Sequence, residues 1–146
     1  MENLEIAPAK VSPANLSLFV FAGNSTFTVR SEKTGTRFTF KVRQPKPETP
    51  HFVSLLSGPD NENDFCFLGS VFRDGTFRRS VKSHVGETAP SMIAAKWVCE
   101  RLAKGAELKG CEIWHEGRCG RCGRKLTVPE SIESGIGPEC ASKLGR

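Results

Sequence analysis

Three cysteines and a histidine near the C-terminus have the types and spacing of a metal site. His115, Cys119 and Cys122 stand in His-Glu-Gly-Arg-Cys-Gly-Arg-Cys-Gly, and Cys140 follows in Gly-Ile-Gly-Pro-Glu-Cys-Ala. A Cys-x2-Cys-Gly turn brings two thiolates onto one ion, because glycine takes the positive φ that closes the turn and leaves backbone N–H groups aimed at sulfur. Pro138, followed by Ala141 and Leu144, reads as a helix start, and a helix N-terminus favours an anionic Cys140. Three sulfurs leave one corner of a tetrahedron, and His115, folded back by Glu116-Gly117, is expected to fill it. Cys111 is the competitor, but it would need Ile113 and Trp114 to loop out. The position three after Cys140 is Lys143, which is no zinc ligand. The expectation is one structural Zn²⁺ per chain, held by His115, Cys119, Cys122 and Cys140.

Such a site is closed, whereas a catalytic metal keeps a position open for water or substrate. Cys119 with His115 as its base fails as a nucleophilic pair for the same reason, since the thiol has metal-binding companions nearer to it. Asp60, Glu62 and Asp64 share one loop but lack the ligand order of a calcium site, and no glycine-rich phosphate loop precedes a helix. An enzyme is therefore not expected, nor a small-molecule substrate. Arg118, Arg121, Arg124 and Lys125 crowd the knuckle, while Arg30, Arg37, Lys41 and Arg43 alternate along two strands, and both patches suit phosphates. The bland reading is that knuckle cations offset thiolate charge and that open strand faces are commonly charged. The absence of Tyr, and Phe residues that mostly point inward, argue against a platform for stacking bases.

The elements that position these groups follow from periodicity. Residues 1–12 carry no sustained period and read as a flexible lead-in. Leu16 to Phe21 is rich in β-formers. Thr26 to Arg30 and Thr36 to Arg43 alternate strictly and read as a hairpin turned at Glu32 to Gly35, with Phe27, Val29, Phe38, Phe40 and Val42 on the packed face. His51 to Leu56 and Asp64 to Phe72 are apolar on both faces, which places them mid-sheet under a helix. Asp74-Gly75 turns the chain into Phe77 to Ser80. From Pro90 to Lys104 the period becomes helical, with Ile93, Trp97 and Leu102 expected to face the sheet and Gly105 ending the run. Cys111 to Trp114 reads as a short strand, and Pro129 to Ser134 as one helical turn. The fold class is α+β: an antiparallel β-sheet of about six strands with one packed helix in residues 13–110, and a small C-terminal zinc-knuckle lobe in 111–146.

The run from His115 to Ala141, with Cys119-Gly-Arg-Cys122-Gly, Pro129-Glu-Ser131-Ile132 and Gly135-Ile-Gly137-Pro138-Glu-Cys140, resembles a small zinc domain of unknown function that recurs in bacteriophage and bacterial proteins. The segments Phe21 to Thr28 and Phe52 to Asn63 also resemble parts of phage proteins that carry it. The resemblance implies a phage or bacterial origin and a zinc site at His115, Cys119, Cys122 and Cys140, and it implies no activity.

The 146 residues, 38% hydrophobic and 25% charged, suit one modest core plus a metal-stapled appendage. With no secretory segment and no apolar run of membrane-spanning length, the expected compartment is the reducing cytoplasm, that of the host if the chain is phage-encoded. Cys66, Cys99 and Cys111 then serve as small hydrophobes. A net charge of +5 is compatible with nucleic acid or with an acidic partner. The favoured expectation is a non-enzymatic nucleic-acid-binding zinc protein. The alternative is a protein-interaction module that inhibits or redirects a host machine, for instance one of defence, through the proline-rich connector Gln44 to Pro50 and the Gly58 to Asn63 loop.

Overall fold

Strict alternation between apolar and polar residues along Asn24–Ser31 and Arg37–Arg43 sets two neighbouring strands of one antiparallel sheet. The computed structural model describes residues 9–58, 64–122, 134–137 and 140. The elements run β1 (Ala9–Lys10), α1 (Leu16–Val20), β2 (Asn24–Ser31), β3 (Arg37–Arg43), β4 (His51–Leu56), β5 (Phe65–Val71), β6 (Phe77–Arg79), α2 (Pro90–Ala103) and β7 (Cys111–His115). The seven strands stand in the order β1-β7-β2-β3-β4-β5-β6. The expected hairpin is there: Phe27 opposes Phe40 across β2 and β3, and Gly35 closes the turn at φ 75°. Phe27, Val29, Phe40 and Val42 are buried on one face, each fully buried apolar side chain contributing about 1.5–3 kcal/mol.

Both helices lie on that same face. Helix α2 runs almost as expected, with Pro90 in its first turn and Lys104 capping its end. Its docking stripe is a different one. Met92, Ala95, Val98, Cys99 and Leu102 are buried, while Ile93 is 56% and Trp97 40% exposed. Of the three expected anchors only Leu102 faces the core. Apolar residues surround most of this helix, so its composition does not fix which side turns inward, and the i, i+3, i+4 run from Met92 fits the sheet best. Trp97 lies under the Arg101 guanidinium instead, 5.4 Å from ring centroid to cation. Glu100 accepts the Phe77 N–H at 2.9 Å and holds α2 to β6.

Leu16–Val20 is a helix rather than the strand its β-rich composition suggests. Leu16, Phe19 and Val20 bury at helical spacing, and the 3₁₀ turn Pro13–Asn15 leads straight into it. Tertiary burial of Phe19 overrides local propensity here. The end of the lead-in is also ordered, since Ala9 and Lys10 pair with His115 and Trp114 and Val11 is buried. Its residues 1–8 lie outside the described residues.

The strand β7 is internal to the sheet, between β1 and β2. Segment 111–146 thus begins inside the main core, and its knuckle continues directly from a sheet strand. On the face opposite the helices, β4 and β5 present Phe52, Ser54, Phe65 and Phe67. Among the described residues no helix covers these strands there, and Phe67 is 39% exposed. Two-sided apolarity in β4 and β5 was expected to mean burial on both faces, but only one face is helix-covered. No described helix is long and apolar enough to cross a membrane.

Candidate metal centre

Cys119, Cys122 and Cys140 converge. Their sulfurs all lie within 4.8 Å of one another, and bonds of about 2.3 Å to a tetrahedral zinc would put sulfurs about 3.8 Å apart. Cys119 and Cys140 are buried and Cys122 is exposed. The turn after Cys119 aims its N–H groups back at sulfur: Arg121 donates its backbone N–H to Cys119 Sγ at 3.3 Å. Burial alone would raise the Cys119 thiol, but the backbone N–H groups of Gly137, Cys122 and Arg121 outweigh it and hold the thiol below its ordinary range. Burial pushes Cys140 up, against the Arg121 guanidinium, and the sulfurs of Cys122 and Cys119 push it further. Three sulfurs this close would not all be anionic without a cation among them, and that is the condition a bound metal satisfies.

The knuckle is fastened to the sheet. Asn24 donates its N–H to the Gly120 carbonyl at 2.8 Å, and Gly120 donates to the Gly135 carbonyl at 2.8 Å. Ile136 is fully buried beside them, and Cys119, Ile136 and Cys140 belong to the same apolar cluster as Phe19 and Phe27. Among the described residues, positive φ near the site falls on Gly117 (81°) and Gly135 (76°). Gly123, the glycine expected to close the turn, lies outside them, as do Pro138 and most of the helical turn expected from Pro129. Cys140 itself has helical backbone.

His115 does not join the sulfurs. Its ring is fully buried, 6.0 Å from the Phe19 ring, and its Nδ1 accepts the Gly117 N–H at 2.8 Å. His115, expected as the fourth ligand, is not among the three residues whose ligand atoms cluster, and its ring accepts from the turn that leads to Cys119. Cys111 stays in β7, with its thiol raised by burial, and burial pushes the Cys99 thiol up to about 12, as suits a core residue.

The basic residues divide by what they touch. Arg121 is half-buried with Nη1 3.6 Å from Cys140 Sγ, so it is engaged with the cluster rather than presented outward. Arg118 is exposed. Arg124 and Lys125 lie outside the described residues. On the sheet, Arg30 pairs with Glu112 at 3.4 Å, Lys41 sits 5.5 Å from the centre of the Phe65 ring, and Arg37 and Arg43 are exposed. Reading the sequence missed what stands among them. Thr28 opposes Trp114, and Thr28, Arg30, Arg37 and Trp114 line one depression of about 380 Å³. Extending the alternation through Cys111–His115 would have found it, since Ile113 and His115 must face the core and Glu112 and Trp114 the other way.

The family of unknown function DUF6011 matches residues 114–145, the segment that holds the three cysteines. No curated protein and no solved structure matches the chain.

Proposed function

We propose that this chain is a non-enzymatic nucleic-acid-binding protein whose Cys119, Cys122 and Cys140 hold one structural zinc ion. Zinc bound there would neutralise the thiolates and cross-link the knuckle to the segment around Cys140. The three converging sulfurs, the N–H groups aimed at Cys119 and the DUF6011 match support the metal reading. Support for nucleic acid comes from one observation: Arg30, Arg37, Lys41 and Arg43 stand on the sheet face away from both helices, with aromatic rings between them. The test is retention of the zinc-loaded protein on DNA and RNA columns across a salt series. Replacing Arg37 and Arg43 with Gln should lower affinity and reduce the salt slope by roughly one for each phosphate no longer gripped, while zinc stays bound. No retention on any nucleic acid at low salt would end this reading.

A protein-interaction module is the second reading, favoured by the exposed Ile93 and Trp97 on α2. The phage-type resemblance would make the partner a host machine. A stoichiometric protein captured from host lysate through nuclease and high salt, and lost with Ile93→Ser and Trp97→Ser, would support it.

A further inference from the structure

The open sheet face carries aromatic rings and cations in alternation. Trp114 on β7 opposes Thr28 on β2, and Thr28 bonds Thr39 on β3, hydroxyl to hydroxyl at 2.7 Å. Beyond β3, Lys41 opposes Ser54 on β4, and Arg43 opposes Phe52. Ser54 in turn opposes Phe67 on β5, whose ring lies 6.2 Å from that of Phe52, edge to face. From Trp114 to Phe67 the face spans four strand spacings, or about 19 Å.

The Trp114 end is set in advance. Its indole N–H donates to Glu112 Oε1 at 3.2 Å, and the same carboxylate pairs with Lys10 at 3.3 Å and Arg30 at 3.4 Å. Glu112 thereby orients the ring, and its charge is met by its own neighbours. Arg37, Lys41 and Arg43 remain as the face's surplus charge. The depression over Thr28, Arg30, Arg37 and Trp114, about 380 Å³, falls in the range of small-ligand clefts.

We infer that this face binds single-stranded nucleic acid, with a base stacked on Trp114 in the depression, further bases on Phe52 and Phe67, and the phosphates held by Arg37, Lys41 and Arg43. The inference rests on the nucleic-acid reading above and narrows it. Flat rings beside cations fit a chain that alternates base and phosphate, since every base offers a π-face. A duplex keeps its bases stacked on one another and would meet only the charge. An acidic protein would likewise use the arginines but leave the rings without partners.

The experiment uses the full-length, zinc-loaded protein with Trp97→Phe, which leaves Trp114 as the single tryptophan fluorophore. It is titrated with an oligothymidylate of about 20 nucleotides, with the matching oligouridylate and with a duplex of equal length. Quenching of Trp114 by the single strands, tighter binding to them than to the duplex, and a loss of about tenfold in single-strand affinity for Trp114→Leu are the expected results. Circular dichroism checks that Trp114→Leu is folded; the quenching arm needs no change at Trp114. If nucleic acid binds but Trp114 emission stays constant, or the duplex binds as tightly as the single strand, this inference falls and the broader reading stands. If none of the three binds at low salt, both fall.

Discussion

The ring of Phe19 lies so close over Gly120 that a β-carbon on the glycine would sit 2.7 Å from the ring's Cδ1. The same ring edge would meet a β-carbon at Gly135, whose φ of 76° already disfavours any side chain. One phenylalanine of α1 therefore fills the space that two glycines of the cysteine-bearing segment leave bare. Gly120→Ala is expected to cost about 1–3 kcal/mol by overpacking, and Gly135→Ala more, because backbone strain adds to the clash. Urea denaturation of each variant measures it, and stability equal to wild type would mean that Phe19 moves aside freely.

Metal analysis should find one zinc per chain, and X-ray absorption three sulfurs at about 2.3 Å with one lighter ligand. Cys119→Ser and Cys140→Ser should lose the ion and loosen Phe19 and Phe27 as well, since both sulfurs belong to that core. His115→Ala should retain zinc while losing on the order of 2 kcal/mol of stability, as truncation of a buried, hydrogen-bonded ring does. A His115→Ala protein that arrives without zinc would return the histidine to the ligand set. Four sulfurs would assign Cys111.

His51 gives a pH dependence with a definite sign. Burial lowers its pKa from 6.5, opposed by the bond between Nε2 and the Phe21 carbonyl. The unfolded chain therefore takes up this proton before the folded one does, and stability falls as pH drops below about 6.5 until the folded pKa is passed. Urea midpoints for wild type and His51→Gln across that window should differ in slope, with the variant less acid-sensitive. Parallel curves would show that His51 contributes nothing.

The docking stripe of α2 can be read by truncation. Val98→Ala should cost roughly 0.5–3 kcal/mol and Leu102→Ala about 2–5 kcal/mol, while Trp97→Ala should cost under about 1 kcal/mol. A larger loss at Trp97 than at Leu102 would turn the helix around.

The hairpin β2–β3 and the cysteine cluster were legible because each is a local pattern: alternation over adjacent residues in one case, a short turn with glycines in the other. The inward side of α2 was not, since Ile93 and Trp97 are as apolar as Met92 and Val98 and only the sheet's shape decides between the two stripes. Leu16–Val20 was missed because β-formers there serve a five-residue helix that buries Phe19. The burial of His115 was not legible either, because the strand pairing that fixes its ring in the core comes from β1 and β2, far off in the chain. Trp114 was overlooked for the same reason. Its neighbours on the open face, Thr28 and Arg37, become neighbours only once β7 has inserted beside β2.

That insertion also sets a timetable for a growing chain. The run from β2 to β6 can pair strand by strand as it leaves the ribosome, but the free side of β2 must wait for Cys111 to reach Ser31, and at about 5–20 residues per second that is a delay of several seconds. Lys10 and Ala9 wait as well, because their partner is β7 itself. Cys119 and Cys122 emerge only after the strand that closes the sheet. A metal bound by these cysteines would thus be captured late in synthesis, and a ribosome stalled before residue 111 would display an unpaired β2 edge, a target for chaperones or for aggregation.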